Sequence, residues 1–187
     1  MPKCRCPNID VHTSLIIITA YSVLMLMTIA IESPRQPEIA ELLRLSGEYA
    51  QSLYPPESNF LLGVEALAQP GVALYVARDA TARALGIAAL VGGAGTGDGI
   101  PSTAELKRMF VHPDARGRGV AGRLLTEMET DAATSGIREI VLETGPASQA
   151  ALAFYRSVDY REIPPFGQYV GEEFSVCFAK VLPGAAQ

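Results

Sequence analysis

Between Val111 and Leu125 the chain reads VHPDARGRGVAGRLL, and this stretch gathers the residues best suited to hold an anion. Gly117, Gly119 and Gly122 stand where a strand pattern gives way to a helical one. Glycine adopts positive φ and lets a backbone come close to a ligand. The first turn of the following helix offers unbonded N–H groups and the positive end of its dipole. Such a junction is a phosphate cradle. Arg116, Arg118 and Arg123 flank it, and Lys107 and Arg108 precede it. Five bases face a single acid, Asp114, between residues 107 and 123, on a chain whose net charge is −5. A basic site on an acidic protein points to a specific polyanionic ligand.

Gly117-x-Gly119-x-x-Gly122 also matches a dinucleotide-binding fingerprint, and Glu143 stands roughly where a ribose-binding acid belongs. The context argues against that fold. There the strand runs almost directly into the first glycine, whereas here His112 to Arg116 intervene. Several strands, a hairpin among them, also come first.

The composition narrows the remaining classes. A chain of 187 residues with 49% apolar and 19% charged residues can bury a full core. Its acidic balance excludes nucleic acid as a partner held by phosphate neutralisation. Three cysteines, Cys4, Cys6 and Cys177, make neither a disulfide framework nor a four-ligand zinc set, which points to a reducing, cytoplasmic setting and no metal. Two histidines, His12 and His112, exclude a histidine-clustered hydrolase, and His112 reads as a loop residue. Residues 13–31 are uncharged and long enough to suggest a membrane anchor. No small-residue cleavage site follows, and Met27 to Glu32 alternates like a strand. The expectation is a dispensable extension at 1–26 and a catalytic domain over 27–187, with no membrane span.

These residues need elements to position them. A strand at 28–32 is followed by a helix whose Ile39, Leu42, Leu43, Ser46, Tyr49, Ala50 and Leu53 share one face, ended by Pro55-Pro56. Residues 59–69 predict a second short helix. Strands at 72–78 and 84–92 form a hairpin across Asp79 to Arg83, and 93–99 is a flexible glycine loop. Strand 102–111 leads into the glycine junction and a helix over 119–135, with Leu124, Leu125 and Met128 on its apolar side. Strand 137–143, helix 148–158, a short extra strand near Tyr160 and strand 174–182 complete the chain. The fold class is α/β, a mixed and mostly antiparallel sheet with helices on both faces.

The run Val111-x-Pro113-x-x-Arg116-Gly117-Arg118-Gly119-Val120-Ala121 resembles the acetyl-CoA loop of the GNAT N-acetyltransferases. The preceding AELKRMFV resembles the family's fourth strand, and Leu142 to Gly145 followed by Ala151 to Tyr155 resembles its fifth strand and next helix. The resemblance covers residue 28 to the end. It implies an acetyltransferase that moves the acetyl group of acetyl-CoA, as co-substrate, to a primary amine of a small molecule or peptide by direct attack. A non-catalytic acyl-CoA sensor on the same fold is the rival reading. The resemblance leaves room for a homodimer.

Under that resemblance, Arg116, Gly117, Arg118, Gly119, Val120, Ala121 and Gly122 hold the pyrophosphate, and the strand edge at Phe110 and Val111 pairs with the pantetheine arm. Ser148 stands where many relatives carry Asn or Gln; it suits a helix N-cap and is the cofactor contact from that helix. Glu105 is the candidate base through a water, with Glu143 as the alternative carboxylate. Its place in the strand requires a bulge, because strict alternation puts Glu105, Lys107, Met109 and Val111 on one face. Tyr155 is the candidate acid, against the plainer reading of a core aromatic. Asp159 replaces a glycine common in relatives and tolerates a left-handed turn. The loops Tyr54 to Glu57 and Phe166 to Tyr169 are expected to wall the acceptor pocket.

Overall fold

A computed structural model describes residues 27–92 and 102–183, so residues 1–26 and the 93–99 loop lie outside the described residues. The strands are β1 (Thr28–Ile31), β2 (Val72–Arg78), β3 (Ala84–Gly92), β4 (Thr103–Val111), β5 (Glu139–Thr144), β6 (Arg161–Ile163) and β7 (Val176–Val181). The helices are α1 (Pro37–Leu53), α2 (Val64–Leu67), α3 (Val120–Thr134) and α4 (Gln149–Ser157). One seven-stranded sheet runs β1-β2-β3-β4-β5-β7-β6. Only β4 and β5 pair in parallel, because α3 crosses over between them; every other neighbouring pair is antiparallel.

The apolar runs of β2 and β3 are explained by burial on both faces. Leu74 and Val76 of β2 join Ile39, Leu42 and Leu43 of α1, while Tyr75 and Ala77 join Leu124, Leu125 and Met128 of α3. The two helices thus cover opposite faces. α1 starts with Pro37 at its first position, where the missing N–H costs nothing, and stops at Tyr54, whose backbone is extended before Pro55. The β2–β3 turn is held by Asp79, whose Oδ1 accepts from the Thr81 and Arg83 amides.

Two expected elements are corrected. Within 59–69 the helix is confined to Val64–Leu67, with Gly63 as its N-cap, and residues 59–63 are non-helical. Phe60 in that stretch instead lines the cavity described below. The last strand begins at Val176 and not at Phe174, whose ring packs 6.2 Å from Tyr54. The extra strand near Tyr160 forms as β6 on the outer side of β7. Asp159 takes φ 69°, the left-handed turn expected of it.

Candidate active site

β4 and β5 remain paired only from Thr103 to Leu106 against Glu139 to Leu142. Beyond Leu106 they separate, and β4 carries the expected bulge. Ile87 pairs with Phe110 but Ala89 with Lys107, so β4 spends one extra residue there. Arg108 absorbs it at φ 55°, a left-handed backbone that a long side chain rarely takes. A cavity of about 360 Å³ opens at this divergence.

At one end stands the glycine junction. His112 caps a short 3-10 turn at Pro113–Ala115 through Nδ1, which accepts from the Asp114 amide at 3.2 Å. Gly117 and Gly119 follow at φ 72° and 74°, and Gly119 is the N-cap of α3. Glycine is needed at both because the chain must fold left-handed to aim the first N–H groups of α3 outward. Val120 itself is buried, so only its backbone can serve a ligand, and Gly122 lies within the helix. Ala121 and Arg116 line the cavity, whereas Gly117, Arg118 and Gly119 lie just outside it. Arg116 folds back: its Nε donates to the Val111 carbonyl at 3.3 Å and its guanidinium lies over the Tyr49 and Phe110 rings. Phe110 and Val111 line the cavity on the edge that β5 has left.

At the other end are two carboxylates. Glu105 lies opposite Val141 in the parallel register, so Glu143, two residues further along β5, projects from the same face. Glu105 is buried and committed. The Tyr169 hydroxyl donates to its Oε1 at 2.5 Å, and Lys107 Nζ lies 3.1 Å from the same oxygen. Lys107 also donates to the Tyr169 hydroxyl. Burial, then the bond to Glu105, hold the Tyr169 phenol well above its ordinary value. Glu143 is less engaged, with one hydrogen bond from Ser175 Oγ at 3.0 Å. Burial pushes its carboxyl up to about 7, against the opposing pull of that bond and of Lys107. A carboxylate poised there can exchange protons at neutral pH.

Tyr155 is buried on α4 and lines the same cavity. Its ring packs 5.6 Å from Tyr160 and 6.1 Å from Phe178, so it is a core aromatic as well. Burial, then the Glu143 charge, raise its phenol, which therefore keeps its proton. Ser148 lies at the start of α4, but its hydroxyl makes no capping bond. Its amide donates to the Tyr54 hydroxyl at 3.0 Å, and its Oγ lies 3.3 Å from the same oxygen. Tyr54 thus reaches from the end of α1 across the cavity to α4. It passes so close to Gly145 that a Cβ there would lie 2.1 Å from Tyr54 Cζ.

Comparison with known proteins bears directly on this arrangement. Residues 37–160 match the model of the acetyltransferase (GNAT) family. A relative from Azospirillum brasilense described as an IAA acetyltransferase is 37% identical over 157 residues, covering 83% of this chain and 98% of that protein. The chain belongs to the GNAT acetyltransferase family. Solved structures agree on the fold. A Klebsiella pneumoniae protein described as an acyl-CoA N-acyltransferase superposes with a TM-score of 0.67 at 24% identity, covering 83% of this chain and 97% of that one. The PaiA N-acetyltransferase of Thermoplasma acidophilum, solved with coenzyme A, gives 0.62 at 16% identity, covering 83% and 98%. A mostly antiparallel sheet also disposes of the dinucleotide fingerprint, which belongs to parallel sheets.

Sequence reasoning brought together Glu105, Tyr155, Phe110, Val111, Arg116, Ala121 and Ser148, all of which line one cavity. It missed the roles of Tyr169, Lys107 and Tyr54. Tyr169 and Tyr54 fell in loops expected to wall the pocket, but a loop has no periodicity from which a partner can be read. Lys107 lies two residues from Glu105, so once the strand was assigned, their ion pair on one face was within reach.

Proposed function

We propose that the protein transfers the acetyl group of acetyl-CoA to a primary amine of a small molecule by direct attack. The observation that carries this is one cavity running from the α3 N-terminus, past the freed edge of β4, to a carboxylate held near neutrality. The relative described as an IAA acetyltransferase supports a small-molecule acceptor. Neighbours solved with coenzyme A support the choice of donor.

In this reading the loop from Arg116 to Gly122 binds the pyrophosphate through backbone N–H groups. The edge of β4 at Phe110 and Val111 receives the amide-bearing arm as a further strand would. Glu143, with Glu105 behind it, takes the proton of the acceptor ammonium, directly or through a water. The amine nitrogen bonds to the acetyl carbon, sheds its surplus proton to Glu143, which has returned the first to solvent, and the carbon–sulfur bond breaks. Tyr155 gives its proton to the departing thiolate and is reprotonated from solvent through the cavity. The unbridged Cys177 thiol fits a cytoplasmic enzyme.

The test is thiol release from acetyl-CoA across a panel of small amines. Amine-dependent release with a matching acetylated product is the expected result. Tight acetyl-CoA binding with no release for any amine would refute transfer and leave an acyl-CoA sensor.

A further inference from the structure

Arg108 is a charged residue of the cavity that the reaction above does not use. It lines the cavity beside Lys107, at the bulge where the freed edge of β4 begins. Its Nη2 donates to the Leu43 carbonyl of α1 at 2.7 Å, and its Nε is sealed from solvent with no partner. No carboxylate among the described residues pairs with it. Burial alone, with no opposing charge, pulls its guanidinium down to about 10. The other bases facing the cavity are accounted for. Lys107 is paired with Glu105, and Arg116 lies on two rings with its Nε on a carbonyl.

A half-buried guanidinium without a counter-ion is expensive, and the expense is relieved when an anion arrives. Its flat fork matches a carboxylate in particular. The backbone holds it there at a cost, since a left-handed arginine is strained. Glu105 stands three residues away on the same strand, roughly 10 Å at about 3.3 Å per residue. The cavity therefore offers opposite charges at separated points, with the rings of Phe60, Tyr54 and Tyr169 among its walls. A simple monoamine satisfies only the acidic end.

We propose that the acceptor is an amino acid or related amino-carboxylic acid, whose carboxylate is received by Arg108 while its amine faces Glu143. This rests on the N-acetyltransferase reading and names the substrate class for the same site. The phosphates of acetyl-CoA are the competing anion, and their place is the glycine junction beyond Val111.

The experiment uses the full chain and matched acceptors: amino acids and the amines left when the carboxylate is removed, phenylalanine with phenethylamine and 4-aminobutyrate with propylamine. Thiol release gives kcat/KM for each member, and calorimetry gives the acetyl-CoA Kd. We expect at least one acid to exceed its amine tenfold or more. Arg108→Gln should cut that acid-to-amine ratio about 10- to 100-fold, the range for a charged hydrogen bond, at unchanged acetyl-CoA Kd. Arg108→Lys should restore part of it. Equal use of acids and amines by the wild type overturns the inference. So does an unchanged ratio in Arg108→Gln, whether only the melting temperature falls, marking a mere tie to α1, or only the acetyl-CoA Kd weakens, marking a cofactor contact. If no amine is turned over, the transfer reading fails separately. Calorimetry with each acid in the presence of acetyl-CoA then decides: binding lost in Arg108→Gln sustains the carboxylate site, and equal or absent binding ends it.

Discussion

Glu143→Gln should make the protein more stable and less active at once, and only at the pH where the native carboxyl is charged. Burial raises this carboxyl from 4.5 to about 7, so the fold favours its neutral form. The resulting penalty is absent below about pH 4.5, grows as pH rises, and is complete above about pH 7. At about 1.4 kcal/mol per pH unit, the rise from 4.5 to about 7 corresponds to up to about 3 kcal/mol. Glutamine keeps the size and is neutral throughout. The variant should match the wild type near pH 4.5 and exceed it at pH 8, by about 6–12 °C in Tm for a domain of this size. Thermal scans at both values read this. Catalysis should move the other way, with kcat falling about 10²- to 10⁴-fold on loss of a general base. In the wild type, with an acceptor whose own ammonium is deprotonated above pH 6, kcat/KM should rise about tenfold between pH 6 and 8. A Tm difference that is the same at pH 4.5 and pH 8 would refute the burial argument. Full activity in the variant would remove Glu143 as the base and return the role to Glu105.

Three further outcomes follow from the site. Tyr155→Phe keeps the ring packing and removes the hydroxyl, so kcat should fall roughly a hundredfold at unchanged acetyl-CoA Kd; a kcat within about twofold, with chemistry rate-limiting, marks a core residue only. Gly119→Asp sets a negative charge at the α3 N-terminus in a left-handed conformation that aspartate tolerates, so calorimetry should show acetyl-CoA affinity lost by tenfold or more in a folded protein. Leu124→Ala is the contrast, costing about 2–5 kcal/mol of stability with the acetyl-CoA Kd kept. Gly145→Ala drives a methyl into the Tyr54 ring, and should cost about 1–3 kcal/mol and raise the acceptor KM as the tyrosine leaves Ser148; an unchanged Tm and KM would show that Tyr54 does not need its place.

What the amino-acid order determined by itself was local. The glycines before Val120, the apolar spacing of α1 and α3 and the polar turn at Asp79 each act within a few residues, so the elements and the anion-binding junction could be read directly. The need for a bulge in β4 was also legible, because strict alternation would put the polar Glu105 and Lys107 on one face with the apolar Met109 and Val111. The bulge's exact place was not, since any residue from 106 to 109 could have absorbed the extra step. The short helix at 59–69 was overestimated because apolar residues that wall a cavity and residues that face a core look alike in one dimension. Only the tertiary structure decided the chemistry of the charged groups. Whether a carboxylate is engaged, as Glu105 is by Tyr169, or has its carboxyl raised to about 7, as Glu143 does, depends on partners 64 and 32 residues away in the chain and on the water that burial excludes. The same holds for Arg108, which has no carboxylate partner among the described residues: desolvation and charge pairing are summed over space, and neighbours in sequence do not report them.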